Sequence, residues 1–328
     1  MRAELWHRLR ALVFMSAALS VAALAGSPQS AHATDVSDDE LSSGDEVSGD
    51  GVDGGEAKKC DSDRRFCTIY GDSTSILGGR ARTYVQVKED GQPRALGLQF
   101  TRSMLSKLPY DPPFDGNNCF DINGDGELSF HGPMPECAGG YQAILFFPAK
   151  VIKRANLPFT RFLLNWNPVG HGPIGIYDLP HFDFHFYIMD YVDRNFIRPG
   201  PCGIVVDCDD FQTAIKPVPS QFVPPDYRSF DAVEPRMGNH MVDVTSPEIS
   251  GQDVFKRTFV YGAYDAKITY LEPMITLEYL QSRPNECLPV KQPAAFEVPG
   301  YYPTKYCIRN QGGSYSISLE ELKFRQGS

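Results

Sequence analysis

Pro180-His181-Phe182-Asp183-Phe184-His185-Phe186-Tyr187 decides the reading of this chain, because ionisable and phenylalanine residues alternate strictly from His181 to Phe186. Side chains of a strand point to opposite faces in turn, so His181, Asp183 and His185 share one face and Phe182, Phe184 and Phe186 the other. The phenylalanine face is a core stripe. A His-x-Asp-x-His face inside a sheet is costly unless its groups are paired or bind something. Neighbours on that face, His181 with Asp183 and Asp183 with His185, have Cα atoms roughly 6.5–7 Å apart, and its neutral imidazoles can lean onto a metal ion. Zinc, iron, manganese and copper all accept such nitrogen and oxygen ligands.

Further ligands must come from elsewhere, and beyond the leader the chain has only five histidines. His240, in Met237-Gly238-Asn239-His240, is one candidate, and Glu272, placed at the end of a strand just before Pro273, is a second. Together His181, His185, His240 and Glu272 form a candidate metal set, three His and one Glu as barrel metal enzymes use. Asp183 is the candidate catalytic residue, orienting a histidine or acting as general base on metal-bound water. His171, in a turn upstream, and Tyr187 and Tyr261 are candidate pocket-lining residues. The competing reading is a hydrogen-bonded polar network that orders the interior without metal.

Around this strand, Pro and Gly contribute 55 residues and Phe and Tyr 37, a mixture that favours short strands and turns over helices. Strands are expected at 83–87, 96–100, 143–147, 162–166, 182–189, 258–261 and 268–271. Lys88-Glu89-Asp90-Gly91 and Tyr264-Asp265-Ala266-Lys267 read as hairpin turns. Short helices are expected at 101–107, 276–281 and 319–324. The fold class is mainly β, a single antiparallel barrel or sandwich with short helices and disulfide-stapled loops. Pro-rich excursions fall at 111–137, 198–226 and 284–305.

The start of the chain reads as export machinery. Arg2, Arg8 and Arg10 precede an apolar run, Leu12–Leu24, and Ala31-His32-Ala33 offers small residues for cleavage before Thr34, so residues 1–33 read as a signal peptide. An uncleaved anchor is the alternative. Residues 34–57 hold nine acids and no Lys or Arg, which reads as a disordered acidic linker or, alternatively, an acidic interaction arm. The whole chain carries a net −10, and these divisions leave the β-rich domain, 58–328, at −3. No basic patch points to nucleic acid. Localisation is expected to be secreted or periplasmic, with no membrane contact after signal cleavage; a small-molecule partner and a homo-oligomer stay open.

All eight cysteines lie beyond residue 57. An even count in an exported chain reads as disulfides, and eight cysteines allow 105 connectivities. Pairing of sequence neighbours, 60–67, 119–137, 202–208 and 287–307, is one of them. Neither Cys-x-x-Cys, Gly-x-Ser-x-Gly, His-Glu-x-x-His, a phosphate loop nor a dinucleotide fingerprint occurs, so the classes those motifs mark lose support.

Asp121-Ile122-Asn123-Gly124-Asp125-Gly126-Glu127-Leu128-Ser129 matches the first nine positions of a calcium loop. Asp121, Asn123 and Asp125 supply oxygens, Glu127 a carbonyl and Ser129 a water contact. Position twelve is Gly132, so Glu136 is the nearest substitute for the bidentate acid. The alternative is an Asp/Asn/Gly turn without metal.

Several segments resemble a family of uncharacterised bacterial exported β proteins. They are Trp166–His171, Gly175–Tyr187 with its Pro-His-Phe-Asp-Phe-His-Phe run, Met237–His240, and Thr258–Asp265 followed by Glu272-Pro273-Met274-Ile275-Thr276. Gly79–Pro109 is also similar, so the family-like core spans about 79–282, with 111–137 as an insertion. Met241 and Ala266 depart from the pattern. The resemblance implies a β-rich domain of unassigned activity and the same choice of His181, Asp183, His185, His240 and Glu272. It supplies no reaction. Two functions stay in view: a metal-dependent enzyme acting on a small molecule, or a non-catalytic ligand-binding or envelope-stress protein.

Overall fold

The structure, a computed structural model, describes residues 58–60, 65–111, 118–129 and 136–328. The expected signal peptide and acidic linker lie outside the described residues, as do parts of the 111–137 excursion. The chain first lays down β1 (Lys58–Cys60), β2 (Phe66–Ile76), β3 (Gly79–Lys88) and β4 (Pro93–Thr101). It crosses to a second sheet with β5 (Tyr141–Phe146), β6 (Arg161–Asn167) and β7 (His181–Tyr187). After a short β8 (Pro199–Cys202) come β9 (Tyr227–Glu234), β10 (Gly238–Asp243), β11 (Arg257–Tyr264) and β12 (Lys267–Thr276). The chain then returns for β13 (Glu286–Pro289), β15 (Lys305–Gln311) and β16 (Ser314–Glu320). A separate ribbon pairs β14 (Gly300–Tyr302) with β17 (Lys323–Arg325).

The two large sheets run β1-β2-β3-β4-β16-β15-β13 and β5-β6-β7-β12-β11-β10-β9. Each keeps open edges, so of the two architectures expected, barrel or sandwich, the structure is sandwich-like. β7 and β12 sit at the centre of the second sheet. That position explains why β7 is wholly buried, with water excluded from both of its faces.

The phenylalanine stripe forms the interlayer core. Phe184 stacks on Phe100 of β4 with ring centroids 6.1 Å apart, and Phe186 meets Phe162 edge-on at 4.8 Å. Val85, Leu96, Leu98, Ile317 and Leu319 of the first sheet belong to the same cluster. Fully burying a side chain of this size is worth about 1.5–3 kcal/mol, so the stripe fixes which way β7 faces.

Most element boundaries follow the expected alternation, and three depart from it instructively. Residues 319–324 were expected to be helical, but Leu319 and Glu320 end β16, where Tyr315, Ile317 and Leu319 alternate with Ser316 and Ser318 at period two, and Lys323 and Phe324 begin β17. The helix expected at 101–107 is only a 3-10 turn, Arg102–Leu105. The strand expected to stop at Leu271 runs through Pro273 to Thr276. Pro273 stands opposite Phe259 in β11, and the strand carries it although proline has no N–H to donate. Glu272 therefore lies mid-strand. The helix expected at 276–281 is present as Leu277–Gln281, where Thr276 Oγ1 accepts from Tyr279 N.

Sequence neighbours pair in the three disulfides of the described residues, Cys119–Cys137, Cys202–Cys208 and Cys287–Cys307. Cys60 and Cys67 are opposite in the β1–β2 register. No helix of the described residues is long and apolar enough to cross a membrane.

Phe184→Ala should lower stability by about 3–5 kcal/mol in urea unfolding, since its ring is enclosed from both sheets. A loss below about 1 kcal/mol would show that the stripe does not set the interlayer packing.

Candidate metal centres on the outer face

Because Phe182, Phe184 and Phe186 face the sandwich core, His181, Asp183, His185 and Tyr187 face outward. The register extends this face across the sheet. Asn167, Asn165, Leu163 and Arg161 of β6 stand opposite those four residues in turn. On the other side, β12 places Tyr270 opposite Tyr187 and Met274 opposite Asp183, which brings Glu272 level with His185. His240 joins through its pairing with Gly262. The polar face is therefore not a barrel interior. It is the outer face of a sheet, and it is nonetheless buried, with His181 and His185 at 0 % exposure, Glu272 at 1 % and Asp183 at 2 %. Loop residues roof it: Tyr177 packs on Phe255 at 4.9 Å, and Phe255 in turn on His181 at 5.3 Å.

Two glycines make this arrangement sterically feasible. A Cβ on Gly262 would lie 2.1 Å from the ring of Tyr270, so only glycine lets that ring lean across β11 towards His240. Gly170, with φ +70°, lies so close to the Tyr177 carbonyl, 2.4 Å from its own notional Cβ, that no other residue fits. It turns the loop that delivers His171.

The donors converge in two groups rather than one. The first is His185, His240 and Glu272; the second is His171, His181 and Asp183. Within each, one ligand atom per residue lies within 4.8 Å of the others. The expected single set of His181, His185, His240 and Glu272 is thereby divided. His181 sits four residues from His185 along β7, about 13 Å at ~3.3 Å per residue, and its Nε2 turns to Asp183 instead. A third convergence, Cys287, Cys307 and Glu320, offers no thiolates because the cysteines are disulfide-bonded.

In the first group His185 Nε2 lies 3.3 Å from Glu272 Oε1, and His240 Nε2 lies 4.0 Å from Oε2. His240 Nδ1 is 2.8 Å from the Ala232 carbonyl, which can only accept, so Nδ1 donates there and Nε2 is the nitrogen turned to Glu272. Neither nitrogen of His185 makes a well-formed hydrogen bond, its ring lying near the Leu163 backbone and Glu272 Oε1, and Glu272 Oε2 and the buried hydroxyl of neighbouring Tyr270 make none. Burial pushes His185 down to about 3, leaving it a neutral imidazole. Burial, reinforced by the Asp183 and Glu234 carboxylates, holds Glu272 well above the usual carboxylate range. This corner is short of positive charge.

In the second group Asp183 Oδ1 lies 3.1 Å from His181 Nε2, and Oδ2 lies 3.7 Å from His171 Nε2. His181 Nδ1 donates to the Leu179 carbonyl at 2.6 Å and His171 Nδ1 to the Gly172 carbonyl at 2.9 Å. Asn167 Nδ2 donates to Asp183 Oδ2 at 2.5 Å, fixing the carboxylate. Burial opposes ionisation of Asp183, but His181 and His171 outweigh it and hold the group well below the usual range. His171, opposed by burial yet raised by Asp183, reaches about 9.

The remaining expectations divide by strand parity and by hydrogen bonding. Tyr187 lies on the site's face, its ring stacked on His185 at 5.8 Å. Tyr261 does not. It is one position from Val260, the residue opposite Glu272, so it faces the core, donates to the Lys291 carbonyl and lines a small cavity with Ile188 and Phe222. His171 is a potential ligand rather than merely lining. In the expected calcium loop, Asp121 accepts from Gly124 and Gly126, Asn123 from Asp125, and Asp125 from Glu127. Glu136 turns its oxygens to the N–H groups of Ile122, Asn123 and Ser129. Among the described residues these carboxylates do not converge as the two histidine groups do. Sequence reasoning missed Asn167 and Asn165, although Asn alternates with Phe162, Leu164 and Trp166 along β6. Glu234, buried on the same outer face, was also missed.

Comparison with protein-family models, curated proteins and solved structures finds no match. The resemblance to bacterial exported proteins stays an expectation of the sequence.

Gly262→Ala should destabilise the protein by about 1–3 kcal/mol in denaturant unfolding, because Tyr270 must leave its place beside His240 and His185. Unchanged stability would mean that this ring is not held by the missing Cβ.

Proposed function

We propose that the protein is an exported metal-binding protein whose principal centre is His185, His240 and Glu272. The observation that carries this reading is the set of buried, unpartnered polar atoms in that corner, both nitrogens of His185 and Oε2 of Glu272. Each such atom costs about 1–3 kcal/mol, and here they gather around one imidazole and one carboxylate. A cation bound by imidazole and carboxylate lone pairs would satisfy them together. His240, held by the Ala232 carbonyl, has the outer-shell hydrogen bond usual for a metal-ligating imidazole.

Two imidazoles and one carboxylate suit zinc or iron, and also manganese or copper. Such a triad leaves coordination positions open, which favours turnover of a small molecule as a second reading; metal-activated water is the chemistry such a centre supplies. On either reading Tyr270 shapes the cavity wall, and His185 is oriented by its stack on Tyr187. Asp183 pairs with His181 and His171, and its charge also bears on His185 and Glu272. The non-catalytic, metal-free network is the alternative that the unpartnered atoms disfavour. Export is supported by the disulfides, which persist in oxidising compartments, together with the leader read from the sequence.

Elemental analysis of protein purified from an oxidising compartment should find near-stoichiometric zinc, iron, manganese or copper. Glu272→Gln, which keeps the side-chain shape, should lower metal affinity by more than the ~10–100-fold expected for loss of an outer hydrogen bond. A chelator should also lower the melting temperature of the unmodified chain and leave that of Glu272→Gln nearly unchanged. Metal content insensitive to Glu272→Gln would refute this centre.

A further inference from the structure

We infer that His171, His181 and Asp183 form a second metal site, separate from the first and open to exchange with the medium. Geometry carries the case. His181 Nε2 and Asp183 Oδ1 are 3.1 Å apart, yet Oδ1 is buried and makes no hydrogen bond. The two atoms stand as a close ion pair rather than a well-formed hydrogen bond, and a cation held by Nε2 and Oδ1 together would satisfy the oxygen. The 3.7 Å between His171 Nε2 and Oδ2 is beyond hydrogen-bond range. Both imidazoles commit Nδ1 to a backbone carbonyl, so both aim Nε2 inward. Nitrogen and oxygen ligands of a tetrahedral ion with bonds of about 2.0–2.1 Å stand apart by about the distances seen. Asn167 supplies the outer hydrogen bond that holds the carboxylate in place.

Exposure separates the two sites. The His171 side chain is 20 % exposed and rides on the loop between β6 and β7, whereas His181 and Asp183 lie beneath it. Withdrawal of that one loop residue would open the second site without disturbing either strand. The first site has its His185 and Glu272 on central strands and only His240, 11 % exposed, near its rim. Metal at the second site is accordingly the faster to leave, and its class is the same borderline divalent cation, zinc above all, that two imidazoles and a carboxylate select. This inference does not require the first site to be filled.

The test uses the full chain, dialysed against zinc and desalted, with zinc measured by elemental analysis. The unmodified chain should retain about two equivalents, and a timed chelator should remove one of them in a distinct fast phase. His171→Gln, at the surface, and Asp183→Asn, which keeps its shape, should each lose the fast equivalent and keep the slow one. Glu272→Gln should show the converse. Near-ultraviolet circular dichroism identifies any variant that has not folded, and His171→Gln alone then decides. A single equivalent lost only in Glu272→Gln overturns this inference and leaves the first centre standing. A single equivalent lost only in His171→Gln and Asp183→Asn upholds it and removes the first centre. Zinc absent from every sample overturns both.

Discussion

Desolvation of ionisable side chains on the outer face of the second sheet is the constraint that organises this molecule. Four imidazoles and the carboxylates of Asp183, Glu272 and Glu234 are gathered where water is almost excluded. An isolated charge there is prohibitively expensive, so each group must be paired, neutralised or bound to a cation. The second group answers with a carboxylate fixed by Asn167 and flanked by two histidines. The first has fewer partners, and its unpartnered atoms are what remains of the same demand.

The sandwich makes this expense tolerable. One face of β7 is a phenylalanine stripe locked against the first sheet, and that packing leaves the alternate residues no choice but to face outward. Loops then roof the outer face with Tyr177 and Phe255, which removes water from the groups the strand has presented. Gly262 and Gly170 show the same economy of space: one admits the Tyr270 ring, the other the turn that carries His171. Core and site are thus two consequences of a single alternation.

That alternation is also what could be read from the sequence. The strand at 181–187, its two faces, and His240 and Glu272 as partners were all legible, because period-two patterning is local and histidines are few. The division into two groups was not legible. It depends on the long-range register that sets His185 level with Glu272, and on backbone carbonyls of Leu179 and Ala232 that no side-chain pattern records. Pro273 misled the reading of β12, since a proline usually closes a central strand. Tyr261 was assigned to the wrong face for want of that register. Residues 319–324 were read as a helix because the period-two alternation that marks β16 lies almost wholly before them, from Tyr315 to Leu319.

The central claim is that His171, His181 and His240 commit Nδ1 to backbone carbonyls and, with zinc bound, present Nε2 lone pairs to the ion. Long-range nitrogen–proton correlation spectra of zinc-loaded, nitrogen-15-labelled protein report the state of each ring nitrogen directly. The account predicts a proton on Nδ1 and a zinc-shifted, unprotonated Nε2 for His171, His181 and His240. Doubly protonated rings, or a proton on Nε2 in the presence of zinc, would contradict it.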